Sequence, residues 1–377
     1  MLGGMNVMRD LVGVDFPLFA FSHCRDVVAA VSRAGGFGVL GGSSFTAESL
    51  QVELAWIDEH VGGRPYGVDI LVPEHQLATG SATNAELAEH LPAEHREFVR
   101  KLLADRGIEL SVERGAGADA LPATSPEAVE ELLDVAFSHP IRLIANALGI
   151  APPRMIERAK AAGVPVAALV GAKEHALRQV NAGVDILVAQ GTEAGGHCGE
   201  VSTLVVVPEV IHAVRAVREV PVLAAGGIMT GAQMAGCMAM GAAGVWTGSV
   251  WLATPESEVS QSFRDKMVAA RSRDTVRSTA RTGKPSRQLR SAWHDAWEGA
   301  DSPGSLPLPL MSILSTPAFM SIDRAADAGN AAARDLVSYW VGQGVGLVDR
   351  VRSAEEVVAD FMSDYAEAVE RLQTLLD

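Results

Sequence analysis

The chain has 377 residues, of which 48% are hydrophobic and 20% charged, a balance typical of a globular protein with a large core. Its formal net charge of −15 excludes a general nucleic-acid binder, because a surface that follows phosphates needs an excess of basic residues. No window approaches about 18 uninterrupted apolar residues, and the opening MLGGMNVMRDLVG has too short an apolar stretch for a signal peptide. We therefore expect no membrane partner.

The three cysteines, Cys24, Cys198 and Cys237, are an odd number without the spacing of a metal site. This usage favours a reducing compartment. We expect a cytoplasmic protein without a bound metal.

Short apolar runs recur between residue 16 and about residue 260, and each is followed by a stretch with helical character. The runs are FPLFAF, FGVLGG, YGVDILV, IRLIANAL, VPVAALV, VDILVAQ, VPVLAAGG and AGVWTG. Continuous apolar runs predict strands that are buried on both faces, as in a parallel sheet. The predicted fold is α/β, a (β/α)8 TIM barrel, with site residues on the loops that follow the strands.

Local signals predict where the helices begin and end. Starts are expected at Thr46, Pro152-Pro153, Pro208 and Thr230, and stops at Gly163, Gly183 and Gly241. The segment from Gly36 to Gly41 matches G-x-G-x-x-G, but it follows a helix and spans a strand. We interpret it as a tight turn rather than a dinucleotide site.

Two regions lie outside the repeat. Residues 74–138 form an insertion after the third strand, with a charged helical segment, and it is far longer than an ordinary connection. We expect this insertion to cover the barrel mouth or a subunit interface. The predicted division is a barrel over 1–260 with this insertion, and a helical C-terminal extension over 261–377 that packs on the barrel.

The extension begins with a basic patch. Nine basic residues stand against Asp265 and Asp274 between residues 264 and 290: Arg264, Lys266, Arg271, Arg273, Arg277, Arg281, Lys284, Arg287 and Arg290. They could recognise an anion such as NADPH or a coenzyme-A-type thioester. They could equally form a solvated face that pairs with acidic groups of this protein or of another subunit.

Glycines follow the seventh and eighth predicted strands, in AAGGI (224–228) and WTGS (246–249). Barrels commonly bind a phosphate at these two loops, through backbone amides that residues without side chains leave accessible. We predict phosphate ligands at Gly226, Gly227, Gly248 and Ser249, with Thr247 adjacent.

These strings, together with QGTEAGGHCGEV (190–201), resemble a known family. The series GVDILVAQGTEAGGHCG, VPEV, PVLAAGGI and GAAGVWTGS is similar to the nitronate monooxygenases, formerly called 2-nitropropane dioxygenases, from about residue 16 to residue 255 outside the insertion. The resemblance implies an FMN-dependent (β/α)8 barrel in a family that also includes FMN-dependent NAD(P)H:quinone reductases and enoyl-acyl-carrier-protein reductases. DTVRSTARTGKPSRQLRSAW and GQGVG resemble a long-chain branch.

The resemblance also implies roles for individual residues. His197 would be the catalytic histidine, Gln190 would approach the flavin edge, and the amides of Gly195 and Gly196 would line FMN. The strand ends are less typical, since the family has Ala-Pro-Met where this chain has Ala20-Phe21-Ser22-His23-Cys24, and asparagine where it has Asp69. We expect Ala20, Phe21, Ser22 and Asp69 at the cofactor, and His23 is a candidate substrate contact.

Three functions are compatible with these residues. The first is oxidation of alkyl nitronates with O2, and the second is an FMN reductase that uses NAD(P)H on a quinone or an enoyl thioester. The third is a flavin-binding barrel without turnover, against which His197 and Gln190 argue. In each case we expect a small-molecule partner, and a homo-oligomer is left open.

Overall fold

The structure is a computed structural model that describes residues 7–72, 84–110, 125–147 and 149–375. Eight parallel strands form a closed barrel in chain order. They are β1 (Leu18–Ser22), β2 (Phe37–Gly41), β3 (Tyr66–Asp69), β4 (Ile144–Asn146), β5 (Val166–Val170), β6 (Ile186–Gln190), β7 (Val222–Ala225) and β8 (Gly244–Thr247). β8 pairs with β1, so the predicted (β/α)8 barrel is confirmed.

Helices surround the barrel and build the two regions outside the repeat. They are α1 (Val7–Val12), α2 (Arg25–Arg33), α3 (Ala47–His60), α4 (Asn84–Glu89), α5 (Ala93–Ala104), α6 (Pro126–Ser138), α7 (Pro153–Ala162), α8 (Lys173–Ala182), α9 (Thr203–Arg215), α10 (Gly231–Ala239), α11 (Gln261–Val268), α12 (Ala292–Glu298), α13 (Leu310–Asp327), α14 (Ala331–Arg334) and α15 (Ala354–Gln373). Among the described helices, none is long and apolar enough to cross a membrane.

Most of the predicted helix boundaries are confirmed. Thr46 and Thr230 accept the capping hydrogen bonds of α3 and α10, and Gly163 and Gly183 end α7 and α8 in the left-handed conformation. The predicted start at Pro208 is wrong, because α9 begins at Thr203 and Pro208 lies inside it.

The core has two layers. Inside the barrel, alternate residues of the strands pack together, among them Phe19, Phe37, Val188 and Trp246. A larger cluster fills the space between the strands and the helices. There Gly38 allows α2 to lie directly on β2, since a Cβ at this position would be 2.3 Å from the Val28 carbonyl oxygen. This close packing supports a structural role for the glycines of Gly36–Gly41, most of which forms β2, and not a dinucleotide site.

The last helix closes the barrel wall. α15 packs against α10 and α2, the helices that follow β7 and β1. The contact with α10 is so close that a Cβ on Gly231 would lie 2.0 Å from the Phe361 carbonyl oxygen. α15 therefore occupies the place of the eighth barrel helix, although it comes long after residue 260. The division into two domains stays a prediction.

The described parts of the insertion contact the extension. Phe98 of α5 packs against Trp297 of α12 with 4.8 Å between ring centroids, and His95 Nε2 lies 3.0 Å from the Gly304 carbonyl oxygen. The third helix, α6, instead packs on α3 as part of the barrel wall. Residues 73–83 and 111–124 lie outside the described residues, and the expected cover over the mouth or an interface stays a proposal.

The extension is not wholly helical. Two antiparallel strands, β9 (Thr275–Ser278) and β10 (Ser286–Leu289), form a hairpin within the segment that carries the basic patch. The sequence did not predict this hairpin.

Candidate active site

The carboxyl ends of the strands form a mouth lined by residues that point into the barrel. Phe21, Asp69, Gln190 and Trp246 occupy inward positions, because their strand partners or alternate neighbours belong to the interior cluster. Phe21 lies beside Trp246, with 6.4 Å between the ring centroids. Strand ends therefore bring aromatic, acidic and amide side chains together at one opening.

Three of the predicted cofactor residues do not present side chains to this mouth. Ala20 is fully buried on the outer face of β1. The Thr247 hydroxyl donates to the Phe19 carbonyl (2.8 Å) and accepts from Trp251 Nε1 (3.0 Å), so its side chain is also directed away. The Ser22 hydroxyl accepts from the Cys24 amide (3.1 Å). The strand alternation thus turns the Thr247 side chain outward, and its expected place adjacent to the phosphate stays a proposal.

Asp69 is a buried carboxyl without a full set of partners. It is only 4% exposed, and its Oδ1 atom has no hydrogen-bond partner among the described residues. Burial raises its pKa from 3.8 to about 7, because the charged form loses hydration. A buried polar atom left unpaired is costly, so this position fits a bound group that supplies the missing hydrogen bond.

The turns after β7 and β8 expose backbone amides. Gly226 and Gly227 have φ values of +112° and +70°, a conformation that favours glycine. No turn or loop hydrogen bond in the described part of the chain is donated by the amides of Gly226, Gly227, Gly248 or Ser249. A Cβ on Gly248 would meet no atom within 4 Å. These features fit an anion cradle, although the Ser249 hydroxyl itself is engaged by the Gly342 amide (2.9 Å).

Three polar side chains that sequence reasoning missed hold the glycine turn after β7. Glu193 Oε2 accepts from the amide and hydroxyl of Thr203 (2.9 and 2.8 Å), and the same hydroxyl lies 3.0 Å from the Gly226 carbonyl oxygen. Gln233 Nε2 donates to the Gly227 carbonyl (3.0 Å). Glu193 was visible within the QGTEAGGH string, but nothing in the sequence indicated that it would cap α9.

His197 lies on the loop after β6 and is exposed, with both ring nitrogens near the hairpin of the extension. Nδ1 is 3.1 Å from the Pro285 carbonyl oxygen, and Nε2 is 3.3 Å from Thr282 Oγ1. Partial loss of hydration lowers the pKa of His197 below 6.5. The bond to Pro285 opposes this effect, and Lys284 adds to it. This shift favours the neutral form of the imidazole.

The two glycines before His197 contact the extension. A Cβ on Gly195 would lie 2.9 Å from the Gly342 amide nitrogen, so this glycine allows two backbones to touch. The Gly196 amide donates to the Arg287 carbonyl (3.0 Å). The Gly196 amide is thus already paired, and the expectation that the amides of Gly195 and Gly196 line FMN stays a proposal.

One short segment of the extension contacts all three loops of the site. Besides the bond from Gly342 to Ser249, the Gln343 amide donates to the Glu193 carbonyl (2.8 Å). A Cβ on Gly344 would lie 2.6 Å from the Gly227 carbonyl oxygen. The GQGVG string thus fixes the loops after β6, β7 and β8 relative to one another.

His23 lies at the same end of the barrel. Its Nδ1 is 3.2 Å from the Gly41 carbonyl oxygen, and its ring packs edge-on against Phe21 (5.1 Å). Burial lowers its pKa, and the hydrogen bond to Gly41 opposes this. The candidate role of His23 as a substrate contact stays a proposal.

Much of the basic patch bonds within the protein. Basic side chains donate to backbone carbonyls as follows: Arg264 to Ser257, Lys266 to Val337, Arg277 to Cys198, Arg281 to Ser338 and Arg287 to Thr192. Arg290 pairs with Asp295. The pair of Arg290 with Asp295 fits the expected pairing with acidic groups of this protein, whereas the bonds to backbone carbonyls tie the extension together and to the barrel, which neither interpretation had included.

A closed (β/α)8 barrel with a neutral imidazole, a buried carboxyl and free amides at the carboxyl ends of its strands defines a TIM-barrel enzyme. The model of the nitronate monooxygenase family matches residues 7–364, and the chain belongs to that family. It is an oxidoreductase by this membership.

Relatives and solved structures agree with the assignment. The chain is 51% identical over 372 residues, 98% of either chain, to the protein named "Putative monooxygenase Rv1533" of Mycobacterium tuberculosis. It is 25% identical to a nitroalkane oxidase from Streptomyces ansochromogenes (TM-score 0.77; 97% of this chain and 100% of that one). It is also 25% identical to FabK from Thermotoga maritima (TM-score 0.73; 99% and 100%).

Proposed function

We propose that this protein is an FMN-dependent enzyme that oxidises alkyl nitronates with O2 and releases a carbonyl compound and nitrite. The observation that carries the proposal is the carboxyl end of the barrel, where the His197 loop, the buried Asp69 carboxyl with its unpaired Oδ1 and two glycine turns all follow strands. Membership of the nitronate monooxygenase family and the likeness to a nitroalkane oxidase support it.

The residues at the mouth fit FMN. The free amides of Gly226, Gly227, Gly248 and Ser249 would hold the phosphate, because clustered N–H groups stabilise an anion. The flavin ring would lie over the inward side chains, where Asp69 has an unpaired oxygen. When bound, FMN accepts two electrons from the substrate and passes them to O2.

His197 would act as the acid/base. The Pro285 carbonyl can only accept a hydrogen bond, so Nδ1 carries the proton and Nε2 keeps the lone pair in the neutral ring. Nε2 is therefore the atom that would take the α-proton from a neutral nitroalkane. With a nitronate, that proton is already absent, and the protonated ring would orient a nitro oxygen by donating from Nε2.

A second candidate is an FMN reductase that takes hydride from NAD(P)H and passes it to a quinone or an enoyl thioester. The specific observation in its favour is the likeness to FabK, which is nearly as close as that to the nitroalkane oxidase. A barrel that binds flavin without turnover fits less well, because His197 and Gln190 both lie at the mouth. A cytoplasmic location, with all three cysteines free, belongs to the same proposal.

Release of the cofactor and a turnover assay test the proposal together. Denaturation of the purified protein should release FMN, and aerobic incubation with an alkyl nitronate should produce nitrite without NADH or NADPH. FAD, or no flavin at all, would overturn the cofactor assignment. FMN with turnover only in the presence of NAD(P)H would favour the reductase.

A further inference from the structure

The hairpin formed by β9 and β10 lies against the loop that carries His197. We infer that this hairpin belongs to the catalytic centre, in which Thr282 and Pro285 are positioning residues that orient the His197 ring and keep the proton of the neutral ring on Nδ1. The inference deepens the proposed function, because it rests on His197 as the acid/base.

The hairpin holds the histidine loop through its backbone. Arg287 exchanges two backbone hydrogen bonds with Gly196, at 2.8 and 3.0 Å. Its side-chain Nε also donates to the Thr192 carbonyl (3.0 Å), and Arg277 donates to the Cys198 carbonyl (3.4 Å). Residues on both sides of His197 are therefore fixed by the extension, so the ring has little freedom to move relative to the hairpin.

The acceptor at Pro285 selects one tautomer. A carbonyl oxygen 3.1 Å from Nδ1 stabilises the form that has the proton on Nδ1. The other neutral tautomer would place two lone pairs against each other at this distance. The hairpin thus leaves Nε2 as the basic atom.

The Thr282 hydroxyl is compatible with both protonation states of the His197 ring. This hydroxyl lies 3.3 Å from His197 Nε2 and 3.1 Å from the Lys284 carbonyl oxygen. When His197 is neutral, the hydroxyl can donate to the Lys284 carbonyl and leave the Nε2 lone pair free for a proton. When Nε2 is protonated, the hydroxyl can accept from it and still donate to the Lys284 carbonyl. Because a hydrogen bond to a charged group is the stronger one, Thr282 should favour the protonated ring on balance.

The loop between β9 and β10, which carries Thr282 and Pro285, is held in place by its own contacts with the extension. The Arg281 guanidinium lies 4.0 Å from the ring centroid of Phe319 and 4.4 Å from that of Trp340. The Arg281 carbonyl accepts from the Ser315 hydroxyl (2.6 Å). Gly283 has a φ of +83°, and a Cβ there would lie 2.3 Å from the Leu306 carbonyl oxygen.

Few charged groups face His197, so its titration can report on Thr282. Lys284 on the same loop lowers the pKa of His197. Arg277 and Arg287 on the hairpin strands are engaged with the backbone of the histidine loop. A variant that removes only the Thr282 hydroxyl leaves all three cations in place.

Nitrogen NMR of histidine-labelled protein tests the inference, with the His197 signals assigned by their loss in His197→Ala. The wild type should have the proton on Nδ1. In Thr282→Val the titration midpoint of His197 should fall by about one pH unit, and kcat should fall about 10-fold with KM and flavin content unchanged. Thr282→Ser should restore both. Thr279→Val, whose hydroxyl contacts Ser305, is the matched control on the same loop.

A wild-type proton on Nε2 would overturn the inference. So would a Thr282→Val variant that folds normally and has the wild-type midpoint and kcat. Because the NMR measurement uses no nitronate, a failure of the proposed substrate would leave the tautomer result intact and would show that a different reaction uses the same histidine.

Discussion

Replacement of Asp69 by asparagine should stabilise the apoprotein increasingly as the pH rises. A buried carboxyl with a pKa of about 7 stays protonated in the folded state, while the unfolded chain ionises near 3.8. The Asp69 carboxyl therefore lowers the free energy of unfolding from about pH 4 upward. Above the pKa that Asp69 has in the folded protein, this loss reaches a constant value of about 4 kcal/mol. At pH 5.5 the same relation gives about 2 kcal/mol.

Urea unfolding of wild-type and Asp69→Asn apoprotein at pH 5.5 and pH 8 measures this difference. The variant's gain in the free energy of unfolding should be about 2 kcal/mol larger at pH 8 than at pH 5.5. An unpaired amide could add a constant cost, so only the pH dependence is diagnostic. Asp301→Asn, at an exposed carboxylate, controls for the loss of one negative charge. A gain that is equal at both pH values would refute the burial argument.

Three further variants test other parts of the site. His197→Ala should keep FMN, because other loops would hold the cofactor, but its turnover should fall about 10²- to 10⁴-fold. The loss should be larger on a neutral nitroalkane than on its nitronate. Wild-type rates on both substrates would show that His197 has no role in catalysis. Gly248→Asp should purify without flavin, because its carboxylate would repel the phosphate. Gly248→Ala should retain flavin, since a Cβ at this position meets no atom within 4 Å. Flavin in the aspartate variant would show that the phosphate binds elsewhere. Deletion of residues 74–124 removes α4 and α5 but keeps α6, and it exposes the surfaces of α12 and α13 on which they pack. The kinetics or the oligomeric mass should therefore change. Unchanged values of both would contradict the expected roles of the insertion.

The barrel could be predicted because each of its signals is local. Continuous apolar runs identified eight strands, and glycines such as Gly163 and Gly183 ended helices where a left-handed residue is needed. The start predicted at Pro208 was wrong because proline favours a helix start wherever it occurs. The actual start of α9 is at Thr203, whose amide donates to Glu193, ten residues earlier. That contact depends on the tertiary fold.

The contribution of the extension could not be predicted. β9 (TVRS) and β10 (SRQL) are short and polar, and they lack the alternation that identifies a strand. A run of charged residues is usually exposed to solvent. Arg287 is instead buried, and its backbone exchanges hydrogen bonds with that of Gly196, about ninety residues earlier. The order of strands and loops placed His197 and the glycine turns after β6, β7 and β8, but nothing in the sequence indicated that Gly195 and Gly196 contact the extension.

Anaerobic mixing tests the central claim most directly. The purified yellow protein is mixed, without O2, with an alkyl nitronate, with NADH and with NADPH in separate experiments, and the visible flavin absorbance is followed. The nitronate alone should bleach the flavin, and admission of O2 should restore the colour with formation of nitrite. Bleaching by NADH or NADPH but not by the nitronate would contradict the proposal and identify a reductase, and bleaching by none of the three would indicate a barrel that binds flavin without turnover.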